Sequence, residues 1–346
     1  MIEDRLHEEK QVATRVAING FGRIGRGYLR ASLSYPDVDV VAINDLTSAE
    51  TNAHLLKYDS TQGVLDQTVS VSEDALHVGP HTIKVFAERS PAALPWGELG
   101  IDVVIESTGI FTTREAASAH LTAGAKRVII SAPSGDADAT FVMGVNESSF
   151  DATKDLVISN ASCTTNCFVP MVKVLDDAFS VDAGLMTTVH AYTNDQNLLD
   201  LAHKDLRRSR AAAINIVPSS TGAARATSLV LSSMKGRLDG TSLRVPIPVG
   251  SITDFTAVVR SASVEEINAA FKAAAEGPLK GILVYTDEPI VSSDIVGSPA
   301  SCTFDSLMTM VQPIDEAKSL VKVFGWYDNE WGYSNRLVDL ARHVGQ

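Results

Sequence analysis

The chain has 346 residues, 45% of them hydrophobic, which is enough for two substantial cores and excludes disorder as the overall state. Asp and Glu number 42 against 29 Lys and Arg, and the net charge of −13 argues against nucleic-acid or acidic-membrane partners while leaving room for a local basic pocket. Cys163, Cys167 and Cys302 make no disulfide framework and fit no metal spacing, and no apolar run approaches the roughly 20 residues of a membrane span, so a cytoplasmic protein without a metal is expected. The polar start MIEDRLHEEKQ has no signal-peptide character and reads as a loose tail.

In chain order, TRVAING (14–20) reads as a strand running into Gly20-Phe21-Gly22-Arg23-Ile24-Gly25, a G-x-G-x-x-G turn that opens a helical stretch to about Ser34. Gly20 suits the tight turn, Gly22 the close approach of a pyrophosphate, and Gly25 the packing of helix on strand. A second strand, VDVVAIND, ends at Asp45, 20 residues past Gly25. An acid there holds an adenosine ribose through its hydroxyls and repels a 2′-phosphate, which favours NAD over NADP. DVVIEST (102–108) and KRVIISA (126–132) read as further parallel strands, placing Thr108, Gly109 and Ser131 at the ligand edge of an open sheet. Between them, Thr113 to Ala123 has helical composition, with Gly124 as its stop.

The stretch 156–167, LVISNASCTTNC, carries the chemistry. A short apolar strand breaks at Ser159-Asn160-Ala161-Ser162, and Cys163 opens a helix toward Phe179, with Pro170 as a kink. A thiol at a helix N-terminus faces unpaired N–H groups and the positive end of the dipole, which favour thiolate. Ser162, Thr164, Thr165 and Asn166 around it are poor core material and good company for an anion. In LMTTVHAYTNDQ a β-branched run delivers His190 and then Thr193, and a reactive cysteine needs a base of this kind. His54, His77, His81, His120, His203 and His343 are expected in loops or on polar helix faces, in solvated roles.

Residues 194–217 are non-periodic, with a basic knot at Lys204, Arg207, Arg208 and Arg210 that fits a phosphate site or a subunit contact. Ser219-Ser220-Thr221-Gly222 precede a helical stretch, Ala223 to Leu231, whose start can receive an anion. In SLRVP, Arg244 stands among apolar neighbours and calls for an anionic partner. Residues 251–260 read as a strand, and Ser263 to Gly277 as a helix with Ser263 and Glu266 as a capping box. After the strand VKVFGWYD, Asn329 offers an amide to a nicotinamide carboxamide ahead of a final helix, Ser334 to His343.

INGFGRIGR, SNASCTTNC, TTVHAYTNDQ, HKDLRRSRAAA, SSTGAA, LRVP and WYDNEWGYSNR together resemble the phosphorylating glyceraldehyde-3-phosphate dehydrogenase family, from about residue 14 to 346. The resemblance implies an α/β chain with a Rossmann-type NAD-binding domain (13–160), completed by a C-terminal helix (330–346), and a second α/β (α+β) catalytic domain (161–329). It implies a homotetramer in which the 194–217 loop packs against a neighbouring subunit. Cys163 matches the nucleophile and His190 its base. Ser162, Thr164, Thr221 and Gly222 match the inorganic-phosphate site, Thr193 and Arg244 the substrate C3-phosphate site, and Arg208 a further substrate-phosphate contact. Arg23, Ile24, Asp45, Arg89, Ser131 and Asn329 match NAD contacts. The chain departs from common family patterns at Leu201-Ala202-His203 and at IPVGS after Arg244-Val245-Pro246.

Two other readings compete with this one. Erythrose-4-phosphate dehydrogenase shares the fold and nucleophile, and Thr193 with Ser220-Thr221-Gly222 argues against it. A binding protein with a vestigial site is opposed by the intact set Cys163, His190, Arg244 and Asp45.

Overall fold

The structure, a computed structural model, describes residues 13–346, and the expected N-terminal tail lies outside them. Apolar segments without alternation become parallel strands buried on both faces, as in Val103–Glu106, all four residues of which are buried. These strands build a nine-stranded sheet with Thr14–Asn19 at its centre. Val38–Asn44 flanks it on one side, and Val103–Glu106, Arg127–Ile130 and Val157–Ser159 follow on the other, all parallel. The order reverses at the central strand, the arrangement that opens a ligand crevice at the strand C-termini. Beyond Val38–Asn44 the sheet continues into His81–Phe86 and an antiparallel edge, Ala75–Val78 and Val69–Ser72.

The last parallel strand, Val157–Ser159, leads directly into the helix Cys163–Phe179. Ser162 caps that helix, its Oγ accepting from the Thr165 N–H at 3.0 Å, and the helix continues through Pro170. A second, mixed sheet of eight strands follows. Within it Val181–Ala191 lies parallel to Leu238–Val245 and antiparallel to Ser251–Arg260, which pairs in turn with Lys318–Tyr327. The cysteine helix packs on this sheet through Phe168, Met171, Val172 and Leu175, against Phe255, Val321 and Val323. The expected capping box forms, Ser263 and Glu266 bonding reciprocally at the start of Val264–Glu276.

The final helix, Trp331–Val344, returns to the first sheet and adds Leu337, Val338, Leu340, Ala341 and Val344 to the core around Val16, Ile18 and Tyr28. Gly27 makes this crossing close, since a Cβ there would lie 2.5 Å from Ser334 Oγ. Two expectations need correction. The stretch 113–123 is two short helices, Arg114–Ala117 and Ala119–Thr122, joined at Ser118. His120 is not a solvated residue: it is fully buried between Trp96 and Glu106. Among the described residues no helix is long and apolar enough to cross a membrane.

Candidate active site

The C-terminal ends of the parallel strands carry one row of polar residues. Asp45 follows Val38–Asn44, and its carboxylate accepts from the Phe21 N–H at 2.7 Å and the Thr47 N–H at 2.8 Å, so the acid also fastens the glycine-rich turn. Gly20 has φ +89°, and a Cβ there would lie 2.6 Å from Thr108 N. A Cβ on Gly25 would lie 2.2 Å from the Gly20 oxygen, whereas one on Gly22 would meet open space. Gly22 begins the helix Arg23–Ser32, and no side chain caps that helix start. This cradle fits a dinucleotide pyrophosphate.

The Arg23 guanidinium turns away to Asp59, at 2.7 and 3.1 Å, and to Glu330, so the groups it leaves for a ligand are backbone N–H groups, its own and that of Ile24. Ser131 follows Ile130, its N–H donating to the Glu106 oxygen at 2.9 Å. Arg89 is exposed after His81–Phe86. Asn329 is buried, its Oδ1 accepting from Gly250 N and Ser251 Oγ at 3.1 Å each. That fixes the amide plane, and Nδ2 has no acceptor among the described residues.

Cys163 and His190 come from different elements and meet, Cys163 Sγ lying 3.4 Å from His190 Nε2. The other ring nitrogen, Nδ1, is 2.7 Å from the Ala191 oxygen and 2.8 Å from Arg244 Nη1. Arg244 donates to the same carbonyl at 3.0 Å. With the Nδ1 hydrogen on that carbonyl, Nε2 presents its lone pair to the sulfur, the tautomer a base requires, and Arg244 then bonds the carbonyl and acts on the ring by charge alone. Burial and the Arg244 charge push His190 down to about 3. Burial also pushes the Cys163 thiol up, against the pull of Arg244 and the Thr164 N–H. Desolvation thus opposes the thiolate that the helix terminus and Arg244 favour.

Thr164 is buried, and its hydroxyl bonds the Tyr327 hydroxyl at 2.9 Å, which also bonds Thr188 Oγ1 at 2.8 Å. Thr193 lies two residues past the histidine strand, its carbonyl accepting from Gln196 N at 2.9 Å. Arg208 pairs with Asp195, and both lie within electrostatic reach of Arg244. Arg210 pairs with Asp200 at 3.0 Å, while Lys204 and Arg207 are exposed. Thr221 and Gly222 precede the helix Ala223–Val230 at the far end of Val217–Ser220, whose Val217 is the register partner of Arg244. Cys163 thus contacts His190, and His190 contacts Arg244, with Arg208 within electrostatic reach of Arg244; no hydrogen bond among the described residues joins Thr193, Thr221 or Gly222 to this group.

Sequence reasoning passed over three supports. Tyr327 bridges two threonines and sets its ring 5.9 Å from that of His190, edge to face. Ala161 holds φ +55° just before the cysteine, its N–H donating to Ser159 Oγ at 3.0 Å. Tyr333 donates to the Ala161 oxygen at 2.9 Å. Only the aromatic density of WYDNEWGY hinted at the tyrosines, and the backbone strain left no sequence signal.

Two family models match the chain: "Glyceraldehyde 3-phosphate dehydrogenase, NAD binding domain" over residues 14–114 and "Glyceraldehyde 3-phosphate dehydrogenase, C-terminal domain" over 162–329. The chain is 62% identical over 334 residues to a glyceraldehyde-3-phosphate dehydrogenase of Streptomyces coelicolor, covering 96% of this chain and 98% of that protein. It is 61% identical over 333 residues to glyceraldehyde-3-phosphate dehydrogenase 2 of Streptomyces avermitilis, with the same coverage of both chains. A Mycobacterium avium glyceraldehyde-3-phosphate dehydrogenase is 61% identical over 343 residues, covering 97% of this chain and 99% of that one. With nearly the whole length aligned at this level, the chain belongs to the glyceraldehyde-3-phosphate dehydrogenase family.

Proposed function

We propose that this chain oxidises D-glyceraldehyde 3-phosphate with NAD and inorganic phosphate to 1,3-bisphosphoglycerate, the glycolytic step, by way of a hemithioacetal and a thioester on Cys163. The observation that carries this reading is the 3.4 Å contact between Cys163 Sγ and His190 Nε2, at the end of a sheet edge shaped for a dinucleotide. Gly20, Gly22, Gly25, the backbone of Arg23 and Ile24, Asp45, Arg89, Ser131 and Asn329 hold the cofactor. When bound, NAD supplies the hydride acceptor.

The residues account for the remaining chemistry. Cys163 sulfur bonds the aldehyde carbon, and its proton passes through His190 to the carbonyl oxygen. His190 then takes the hemithioacetal hydroxyl proton as that carbon is oxidised. A thioester is the better electrophile for phosphate, which is why sulfur and not oxygen is needed. Ser162, Thr164, Thr221 and Gly222 place inorganic phosphate for attack. Thr193, Arg208 and Arg244 hold the C3 phosphate through charge-assisted hydrogen bonds. Phosphate oxygen bonds the acyl carbon, the C–S bond breaks, and His190 returns its proton to sulfur.

The proposed division into 13–160 with 330–346, and 161–329, follows the two sheets and the returning helix. A homotetramer in the cytoplasm is part of the same reading. Its support is the 194–217 segment, which exposes Leu198, Leu199, Leu201, Leu206, Ile214 and Ile216, each at least 66%. Leu206 and Ile214 at such exposure call for a second copy.

The test is NADH formation with triose phosphate or erythrose 4-phosphate, with phosphate present and omitted. Turnover is expected to be fastest with the triose and to require phosphate. A better rate with the tetrose, or indifference to phosphate, would overturn the reading.

A further inference from the structure

Behind the residues facing the cofactor lies a buried polar ladder. Glu106, Asn19 and Asn44 end three neighbouring parallel strands and are register partners, at 2%, 1% and 5% exposure. Each stands one or two residues before a ligand-edge residue, respectively Thr108, Gly20 and Asp45. Asn19 Nδ2 donates to Glu106 Oε2 at 2.6 Å, Asn44 Nδ2 to Asn19 Oδ1 at 2.7 Å, and Glu88 N to Asn44 Oδ1 at 2.7 Å. On the other carboxyl oxygen, Thr108 donates through its N–H at 2.9 Å and its hydroxyl at 2.5 Å.

The direction of the ladder is fixed from outside. Trp96 Nε1 is 3.0 Å from His120 Nδ1, and an indole N–H can only donate. His120 Nδ1 is therefore the lone-pair nitrogen, and the ring hydrogen sits on Nε2, 3.0 Å from Glu106 Oε2. Glu106 thus receives four donors on two oxygens, and none of these donors is Lys or Arg. A protonated acid would set its own O–H against one of them, so the arrangement fits the carboxylate.

We propose that Glu106, ionised and held in one orientation by Trp96 and His120, is the positioning residue of the NAD cleft. It ties the Thr108 turn to Asn19, and through Asn19 to the Gly20 turn and the Asp45 strand. The two turns already touch, a Gly20 Cβ being excluded by Thr108 N at 2.6 Å, so a shift of either moves the pyrophosphate cradle. This inference rests on the NAD reading above.

The experiment is calorimetric NAD⁺ titration of the full chain with parallel thermal unfolding. Glu106→Gln keeps the volume but turns an NH₂ against the Asn19 or His120 donor, and is expected to weaken NAD⁺ binding about tenfold. Adding Asn19→Asp returns an acceptor and a charge to the same bond and is expected to restore part of that loss, which a space-filling role would not allow. Trp96→Phe, which frees His120 to turn or change tautomer, is expected to weaken binding about threefold and carries the test if Glu106→Gln does not fold. NAD⁺ affinity within twofold of the parent in every folded variant overturns the ladder alone. So does a loss in Glu106→Gln that Asn19→Asp does not restore. Failure of the parent to bind NAD⁺ overturns the functional reading and the ladder with it.

Discussion

Arg244 and His190 are register partners on adjacent parallel strands, and Arg244 Nη1 reaches within 2.8 Å of His190 Nδ1. The pairing sets a permanent cation behind a buried imidazole. It raises the cost of a second proton on the ring and keeps Nε2 free to accept one from sulfur.

Acid stability should report this directly. His190 is 4% exposed and held down to about 3 by burial and Arg244, below the ordinary value of about 6.5. As pH falls below 6.5 the unfolded chain binds the proton first, so stability is full above that pH and declines toward 3, by up to about 1.4 kcal/mol per unit. His190→Gln should flatten the urea midpoint between pH 6.5 and 4. Equal pH slopes in parent and variant would refute the assignment.

The same variant should slow turnover by about 10²- to 10⁴-fold, as expected for loss of a general base. Cys163→Ser should abolish phosphate-dependent NADH formation while leaving NAD⁺ binding in place. Iodoacetamide labelling of Cys163 should fall in His190→Gln at neutral pH, since the acceptor for the thiol proton is gone. Labelling of Cys163 that leaves catalysis intact would remove it as the nucleophile.

Arg244→Leu should raise the triose phosphate KM about tenfold to a hundredfold, the loss of one charge-assisted contact. It should also raise the His190 pKa, because a nearby positive charge is removed. The pH profile of kcat/KM reads this shift, and an unmoved acid limb would argue against the Arg244–His190 coupling.

Asp45→Asn tests cofactor choice. The carboxylate anchors the Phe21 N–H as well as facing the ribose position, so NAD⁺ affinity should fall by more than NADP⁺ affinity rises. The ratio of kcat/KM for the two cofactors should move toward unity. An unchanged ratio would separate Asp45 from discrimination.

Tyr327→Phe leaves Thr164 and Thr188 hydroxyls without their shared partner, in a buried site. The expected loss is about 1–3 kcal/mol of unfolding free energy. A denaturant midpoint unchanged from the parent would count against the bridge.

Much of the fold was written in local pattern. The cysteine helix expected from Cys163 toward Phe179 occupies Cys163–Phe179, and Ser263 with Glu266 announced the box that starts Val264–Glu276. Parallel strands were legible because burial on both faces demands unbroken apolar runs. What escaped depends on partners far apart in sequence. His120 looked like a polar helix residue because Trp96, 24 positions earlier, supplies its partner. Arg23 matches a cofactor contact in the sequence, which gives no sign that Glu330, 307 positions later, binds its guanidinium. The edge strand Val69–Ser72, short and half serine, carried too little hydrophobic contrast to stand out.

The returning helix has a consequence for how the protein is made. Leu337, Val338, Leu340, Ala341 and Val344 are synthesised long after Val16 and Ile18, yet they belong to the same core. During translation that core therefore holds Tyr28, Leu29, Ala53 and Leu56 but stays incomplete until the returning helix has been made. A chain cut short before Trp331 would leave that core permanently incomplete.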